Sequence, residues 1–321
     1  VRANGPEGYA MPIPASLAPL TLPAIAAPMF LTSGTDLVCE ACRAGIVGTF
    51  PALNARTTAD FDRWMVDIGT RLSTMSRPAP WGVNLIVHRT NPRLQADLDR
   101  VIAHRVPLVI TSLGAVSEVV DAVKSYGGLV FHDVISRRHG EKAAAAGVDG
   151  IIAVAAGAGG HAGSLSPFAL LGELRRVFAG TLVLAGAITT GGDILAARAM
   201  GADMVSVGSR FIATREATVT DAQKEMMRAA SAADILYTPA ISGVAANFMK
   251  PSIIANGLDP ENLPAHGKLD LGSEARVWKT VWSAGQGVGR IDDVPSVSEL
   301  CERLAEEYRA AKARVAADPF G

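Results

Sequence analysis

The chain has little of what several function classes need. Three cysteines in 321 residues cannot build a disulfide framework or a four-thiolate zinc site. Lysine and arginine together number 30 against 31 aspartates and glutamates. No one-signed field therefore gathers nucleic acid or an anionic membrane, and neither is expected as a partner. No apolar run reaches bilayer length, and no basic region followed by an apolar stretch opens the chain. Neither a membrane span nor a secretory signal is expected, and the sparse cysteine usage points to a reducing, cytoplasmic compartment. A Walker sequence, a His-Glu-x-x-His pair, a clustered Cys/His set and a Gly-x-Ser-x-Gly elbow are all missing, so no metal site is expected.

What is present is apolar and regular. A hydrophobic content of 49% and a mean hydropathy of +0.25 can fill a large core, as one domain with an insertion or as two domains. Cys39 and Cys42 have redox-motif spacing, but they fall in a segment, 35–45, that reads as a helix ending at glycine. Ordinary helix packing is the expectation there, with redox chemistry as the alternative.

Short apolar segments alternate with longer segments carrying Ala, Arg and Glu. Eight strand candidates precede residue 210: 24–27, 46–50, 81–85, 108–112, 128–133, 148–154, 181–185 and 203–207. They are almost continuously apolar, as strands of a parallel sheet covered on both faces must be. Eight βα units predict an α/β fold, the closed (β/α)8 TIM barrel. An open doubly wound sheet is the alternative, but residues 27–34 lack the glycine fingerprint such a sheet carries after its first strand. The barrel is expected over 15–215 and 287–321. Residues 216–286 break the rhythm and are expected to be a helical and loop-rich insertion covering the barrel mouth, opening with a long helix over 216–233. The amphipathic segment 300–316 is expected to pack on the barrel wall.

The candidate site lies at strand ends. Gly157-Ala158-Gly159-Gly160-His161-Ala162-Gly163 follows the sixth strand, which puts one histidine among glycines where barrels do their chemistry. The competing reading is a flexible turn with a solvent-facing ring. Gly186-Ala187 and Gly208-Ser209 follow the seventh and eighth strands. Their backbone N–H groups, with the Ser209 hydroxyl, suit a phosphate cradle, tight turns alone being the other reading. His132-Asp133 closes the fifth strand, as a functional pair or as a buried polar pair. A phosphate-bearing organic cofactor explains these glycines better than a metal does. Without a dinucleotide fingerprint the cofactor is FMN, not FAD.

These residues resemble the nitronate monooxygenase family, formerly 2-nitropropane dioxygenases, which are FMN enzymes on TIM barrels related to flavin-dependent enoyl reductases. The resemblance runs from about Ala24 to Leu300. It rests on Ala27-Pro28-Met29, Asn84, residues 158–163, Gly186-Ala187-Ile188, the block from Gly208 to Glu216, and the segment from Trp282 to Gly289. It implies that Ala27, Pro28 and Met29 line the flavin ring, with Asn84 hydrogen-bonded near it. Gly159 and Gly160 would pass close to the ring, and Gly186, Ala187, Gly208 and Ser209 would hold the phosphate. His161 would be the catalytic base, and Asn247 resembles a family position near the mouth. Asp133 is assigned to the cofactor and His132 to catalysis.

The chain departs from the family pattern at three places. It has Gly186-Ala187 for a double glycine, His132-Asp133 where many members carry a lysine, and Gly157 where many carry an acidic residue. The implied activity is oxidation of nitronates or nitroalkanes by molecular oxygen to a carbonyl product and nitrite, so the expected partners are a small-molecule substrate and O2. Reduction of an enoyl thioester or quinone by NAD(P)H is the alternative, and flavin or phosphate binding without turnover is a third reading. A homodimer is left open.

Overall fold

The computed structural model describes residues 13–114, 117–263 and 279–319. Eight parallel strands close into a barrel. They are β1 (Ala24–Ala26), β2 (Val47–Pro51), β3 (Trp81–Ile86), β4 (Leu108–Ser112), β5 (Leu129–Val134), β6 (Gly150–Val154), β8 (Thr181–Ala185) and β9 (Met204–Val207). The ring shuts where Ala24 pairs with Val205 and Ile25 with Ser206. The expected (β/α)8 barrel is the observed fold.

The apolar strands make sense once both faces are counted. Ile25, Leu108, Ile110, Ile152 and Val183 point into the barrel. Their neighbours Ala24, Ala26, Val109, Ile151, Ala153 and Leu182 point out, into the layer beneath the helices. Alternate residues thus serve two cores, so no polar face interrupts the run. Leu17, 2% exposed, joins the interior cluster from below.

The helices are bounded by local chemistry. The side chains of Thr57, Ser136, Ser166, Thr190 and Ser296 each accept from the N–H three residues on. This satisfies donors that the first helical turn leaves over. The helix α1 (Thr35–Arg43) stops at Gly45, with φ +84°. Cys39 and Cys42 lie on its buried face. Burial pushes their thiols up to about 11 and about 12, and Cys42 Sγ donates to the Pro80 carbonyl. They pack in the core as the helix reading expected, and burial holds them as thiols.

The last helix, Val297–Ala316, completes the outer ring by packing between α1 and the helix after β8, Gly191–Ala199. Its approach is close because Gly191 has no side chain. A Cβ there would lie 2.2 Å from Leu304 O and from Tyr308 N. Gly191→Ala should therefore cost about 1–3 kcal/mol of stability through forced separation of the two helices. Urea unfolding measures it, and an unchanged midpoint would show that the last helix is not packed this way.

The insertion differs from the expected helical cover. The long helix expected over 216–233 is the shorter Asp221–Ala229. Its start is set by Thr220, whose hydroxyl accepts from Gln223 N–H, while Thr218 just before is tied to the carbonyl of Thr32. The insertion also contains strands β10 (Ile235–Thr238) and β11 (Ala246–Met249). These form an antiparallel sheet with a two-residue strand β7, Gly160–His161, in the order β10-β11-β7. Residues 264–278 of the insertion lie outside the described residues. No described helix is long and apolar enough to cross a membrane.

Candidate functional site

A cavity of about 820 Å³ opens at the C-terminal ends of the barrel strands. Ala27, Pro28, Met29, Asn84, His132, Asp133, Gly159, Gly160, His161, Gly186, Ala187, Gly208 and Ser209 all line it. Asn247 stands one layer behind, 2% exposed.

Three successive strand ends carry a hydrogen-bonded chain along the cavity wall. Asn84 Nδ2 on β3 donates to the Ile110 carbonyl at 3.2 Å and to Ser112 Oγ on β4 at 2.7 Å. Ser112 Oγ in turn donates to Asp133 Oδ2 on β5 at 2.5 Å. Both amide hydrogens of Asn84 are spent on protein, so its Oδ1 is the atom left for a ligand donor. Ser112 had no signal of its own in the sequence beyond being the last residue of an apolar strand.

The pair on β5 titrates in opposite directions. His132 is 6% exposed and Nδ1 lies 2.7 Å from Thr111 Oγ1. Burial pushes its ring down to about 4, so it is neutral at pH 7 and does not supply the charge of the family's lysine. Asp133 is pushed up to about 6 by burial, against the lowering effects of the Ser112 hydroxyl and of His161.

The sign of each effect on stability follows. Between about pH 4 and pH 6 the folded chain keeps a proton on Asp133 that an unfolded carboxyl has released, so Asp133 subtracts stability as pH rises through that window. His132 has the reverse slope. It stays neutral down to about 4, whereas a free imidazole charges near 6.5, so its contribution is lost as pH falls through that interval. The two offset in the parent chain, and Asp133→Asn isolates the first. The variant without bound cofactor should be about 2–3 kcal/mol more stable than the parent at pH 7.5 and equal to it near pH 4. Urea unfolding at both pH values checks this, and a difference independent of pH would show that the carboxyl carries no burial penalty.

His161 is held by the insertion. It pairs with Ala246, and Gly160 pairs with Asn247. Ala162 N donates to the Ala245 carbonyl, and Tyr237 OH donates to the Ala162 carbonyl at 2.9 Å. Gly160 N donates to Ser283 Oγ at 2.7 Å, and Asn247 Nδ2 donates to the Ala158 carbonyl at 2.6 Å. A flexible turn has no such set of partners.

The segment around Gly285 wedges between the histidine loop and the turn after β9. Gly157 O accepts from Gln286 N at 2.9 Å and from Ala187 N at 3.3 Å. A Cβ on Gly285 would meet Gly157 O at 2.4 Å, and one on Gly159 would meet Gly285 N at 2.9 Å. Backbone-to-backbone packing is thus one reason for these glycines. Ser209 Oγ accepts from Gly285 N at 2.7 Å, which leaves its hydroxyl proton to donate.

The turns fit a phosphate-bearing planar group, with one qualification. A Cβ on Gly208 would meet nothing nearer than Ala27 Cβ at 3.8 Å and Met29 Sδ at 3.9 Å. The protein itself leaves room for a side chain there, so the bare Cα keeps open space in the cavity wall. Gly208 and Ser209 open the short helix Ser209–Ile212, whose first N–H groups have no intrahelical acceptor. On the β8 side, Ala187 N–H is already directed at Gly157 O, so Gly208 and Ser209 are the better-placed donors. Ala187 also adopts φ +54°, the conformation that the family's glycine takes freely.

Comparison with known proteins bears on the family and the fold. Residues 90–307 match the family model described as nitronate monooxygenase. A putative monooxygenase of Mycobacterium tuberculosis is 29% identical over 242 residues, 69% of this chain and 64% of that protein. A 5-hydroxy-7a-methyl-1-oxo-octahydro-indene-4-carboxyl-CoA dehydrogenase of the same organism is 26% identical, over 79% of this chain and 67% of that protein. The match thus spans about two-thirds of the length of these relatives. The nitroalkane oxidase structure from Streptomyces ansochromogenes shares the fold, with a TM-score of 0.82 at 22% identity, covering 94% of this chain and 100% of that one. With more than half of its residues inside that family model, the chain belongs to the nitronate monooxygenase family.

Proposed function

We propose that the protein is an FMN-dependent oxidoreductase that oxidises nitronates, or nitroalkanes after deprotonation, with molecular oxygen to a carbonyl product and nitrite. The observation that carries this reading is His161, set on a strand instead of a loose turn, in a cavity whose wall at Gly208 is kept bare. An imidazole nitrogen of His161 takes the proton from the carbon bearing the nitro group. The carbon acid becomes a nitronate, with the electron pair delocalised onto the nitro oxygens. FMN, when bound, carries electrons from the nitronate to O2. Gly208 and Ser209 would hold its phosphate, and Ala27, Pro28 and Met29 would line the side of the cavity that takes its ring. Asn84 would offer Oδ1 to a donor on it, with Asp133 joined to Asn84 through Ser112.

A second reading, reduction of an enoyl thioester or quinone by NAD(P)H, draws on the cavity's size and on Lys142 and His139, which line it from the helix after β5. One anaerobic experiment separates the two. Oxidised holoprotein is mixed in turn with a nitronate, NADH and NADPH while the flavin absorbance is followed. Rapid bleaching by nitronate alone supports the proposal. Bleaching by a nicotinamide alone supports the reductase, and a colourless protein that takes up no FMN ends both.

A further inference from the structure

The loop after β1 is held in a conformation its own sequence opposes. Leu31 has φ +58°, in the left-handed region that a side chain bearing a Cβ disfavours. Such a conformation persists only where the surroundings over-determine it. One side chain from outside the loop supplies three of the hydrogen bonds that do so, beside the loop's own turn bonds through Ser33. Asn54 ends the 3₁₀ turn Ala52–Asn54 that follows β2. Its Oδ1 accepts from Leu31 N–H at 2.8 Å, and its Nδ2 donates to the carbonyls of Met29 at 3.0 Å and Ser33 at 2.9 Å. The amide oxygen and both amide hydrogens are thus all spent on a loop more than twenty residues away in sequence. Thr218, from the start of the insertion, adds its hydroxyl to the carbonyls of Leu31 and Thr32.

What this loop carries is a wall of the cavity. Ala27, Pro28, Met29, Phe30 and Thr32 line it. Phe30 and Thr32 also line an adjoining hollow of about 250 Å³, which Leu31 faces without reaching the main cavity. The kink at Leu31 therefore sets where Met29 and Phe30 stand relative to the bare turn at Gly208.

We infer that Asn54 is a positioning residue that fixes the 27–30 wall for the cofactor's ring by holding Leu31 in the left-handed conformation. The inference rests on the flavin reading above. It assigns Asn54 a job that an apolar residue, or an aspartate, does not do. A carboxylate in the same place has no hydrogen to give to two carbonyls and repels both.

The test uses Asn54→Ala, Leu31→Gly and the double variant. Asn54→Ala should weaken FMN binding by about tenfold or more, because the wall is no longer pre-organised. The thermal midpoint of the protein without cofactor should move little. Leu31→Gly alone should leave FMN affinity close to that of the parent. In the Asn54→Ala background it should recover a large part of the loss, since glycine takes this φ without opposition. Amide hydrogen exchange over residues 28–33, measured without cofactor, should accelerate in Asn54→Ala. Unchanged exchange in Asn54→Ala overturns the inference, and so does a glycine at 31 that restores nothing. A parent protein that binds no FMN would end the flavin reading, while the exchange measurement would still decide whether Asn54 holds the loop.

Discussion

His161→Asn should lower kcat/KM for a neutral nitroalkane by about 10²–10⁴-fold, the usual contribution of a positioned general base. FMN content should stay that of the parent. The substitution leaves the chain hydrogen bonds of Gly160 and Ala162 with the insertion in place, and these do not involve the ring. A preformed nitronate has already lost its proton, so its oxidation should fall by only a few-fold. The comparison between the two substrate forms is therefore the readout, not the loss itself. Stopped-flow reduction of the flavin by each form, at one pH, provides it. Equal losses would mean that the ring orients substrate or shapes the cavity and does not take the proton.

The barrel was legible because its strands are buried on both faces. Residues such as Val109 and Ile110 serve different cores, so an apolar run with no alternation is what the fold demands. The cavity-lining residues were legible in two ways: the glycines, His161 and the His132-Asp133 pair by their place at the ends of such runs, and Ala27, Pro28, Met29 and Asn84 by the family resemblance. Ser112 was not, because it closes β4 with the same residue type that closes many surface strands. Its meaning lies in its neighbours Asn84 and Asp133, on two other strands. The sheet that holds His161 was also hidden. Its third strand is two residues long, and no period can be read from two residues. Its other strands, Ile235–Thr238 and Ala246–Met249, are four residues each. The glycine contact between Gly157 or Gly159 and Gly285 joins segments separated by more than a hundred residues. Glycine content marks each segment as unusual, but not which one it meets. The long helix expected over 216–233 failed because propensity extends through Glu216 and Ala217, while tertiary bonds from Thr218 to the loop after β1 hold the backbone in a non-helical turn there.

The second large effect should come from a residue that does not line the cavity. Asn247 lies in the middle of the sheet, with one amide hydrogen donated to the Ala158 carbonyl and its backbone carbonyl accepting from Ser283 Oγ. Among the described residues its Oδ1 has no partner. Asn247→Leu keeps the volume and the strand pairing, removes that orphaned oxygen, and deletes the one side-chain bond to Ala158. Stability should therefore change little, because loss of the bond and loss of the orphan oppose each other. Activity should change a great deal. The bond to Ala158 fixes the run that ends in His161, and a displacement of a reacting group by about 1 Å can cost about 10²-fold. We expect kcat/KM for nitroalkane to fall by about 10–100-fold in Asn247→Leu, with preformed nitronate affected far less. If Asn247 acts through His161, the two substitutions should not add. In a His161→Asn background, Asn247→Leu should cost less than about threefold more. Steady-state kinetics of the two single variants and the double variant, with both substrate forms, measures the coupling. Full additivity would mean that Asn247 supports the cofactor or the fold independently of the histidine, and the insertion would then be a cover instead of the splint that the β7–β11 pairing makes it.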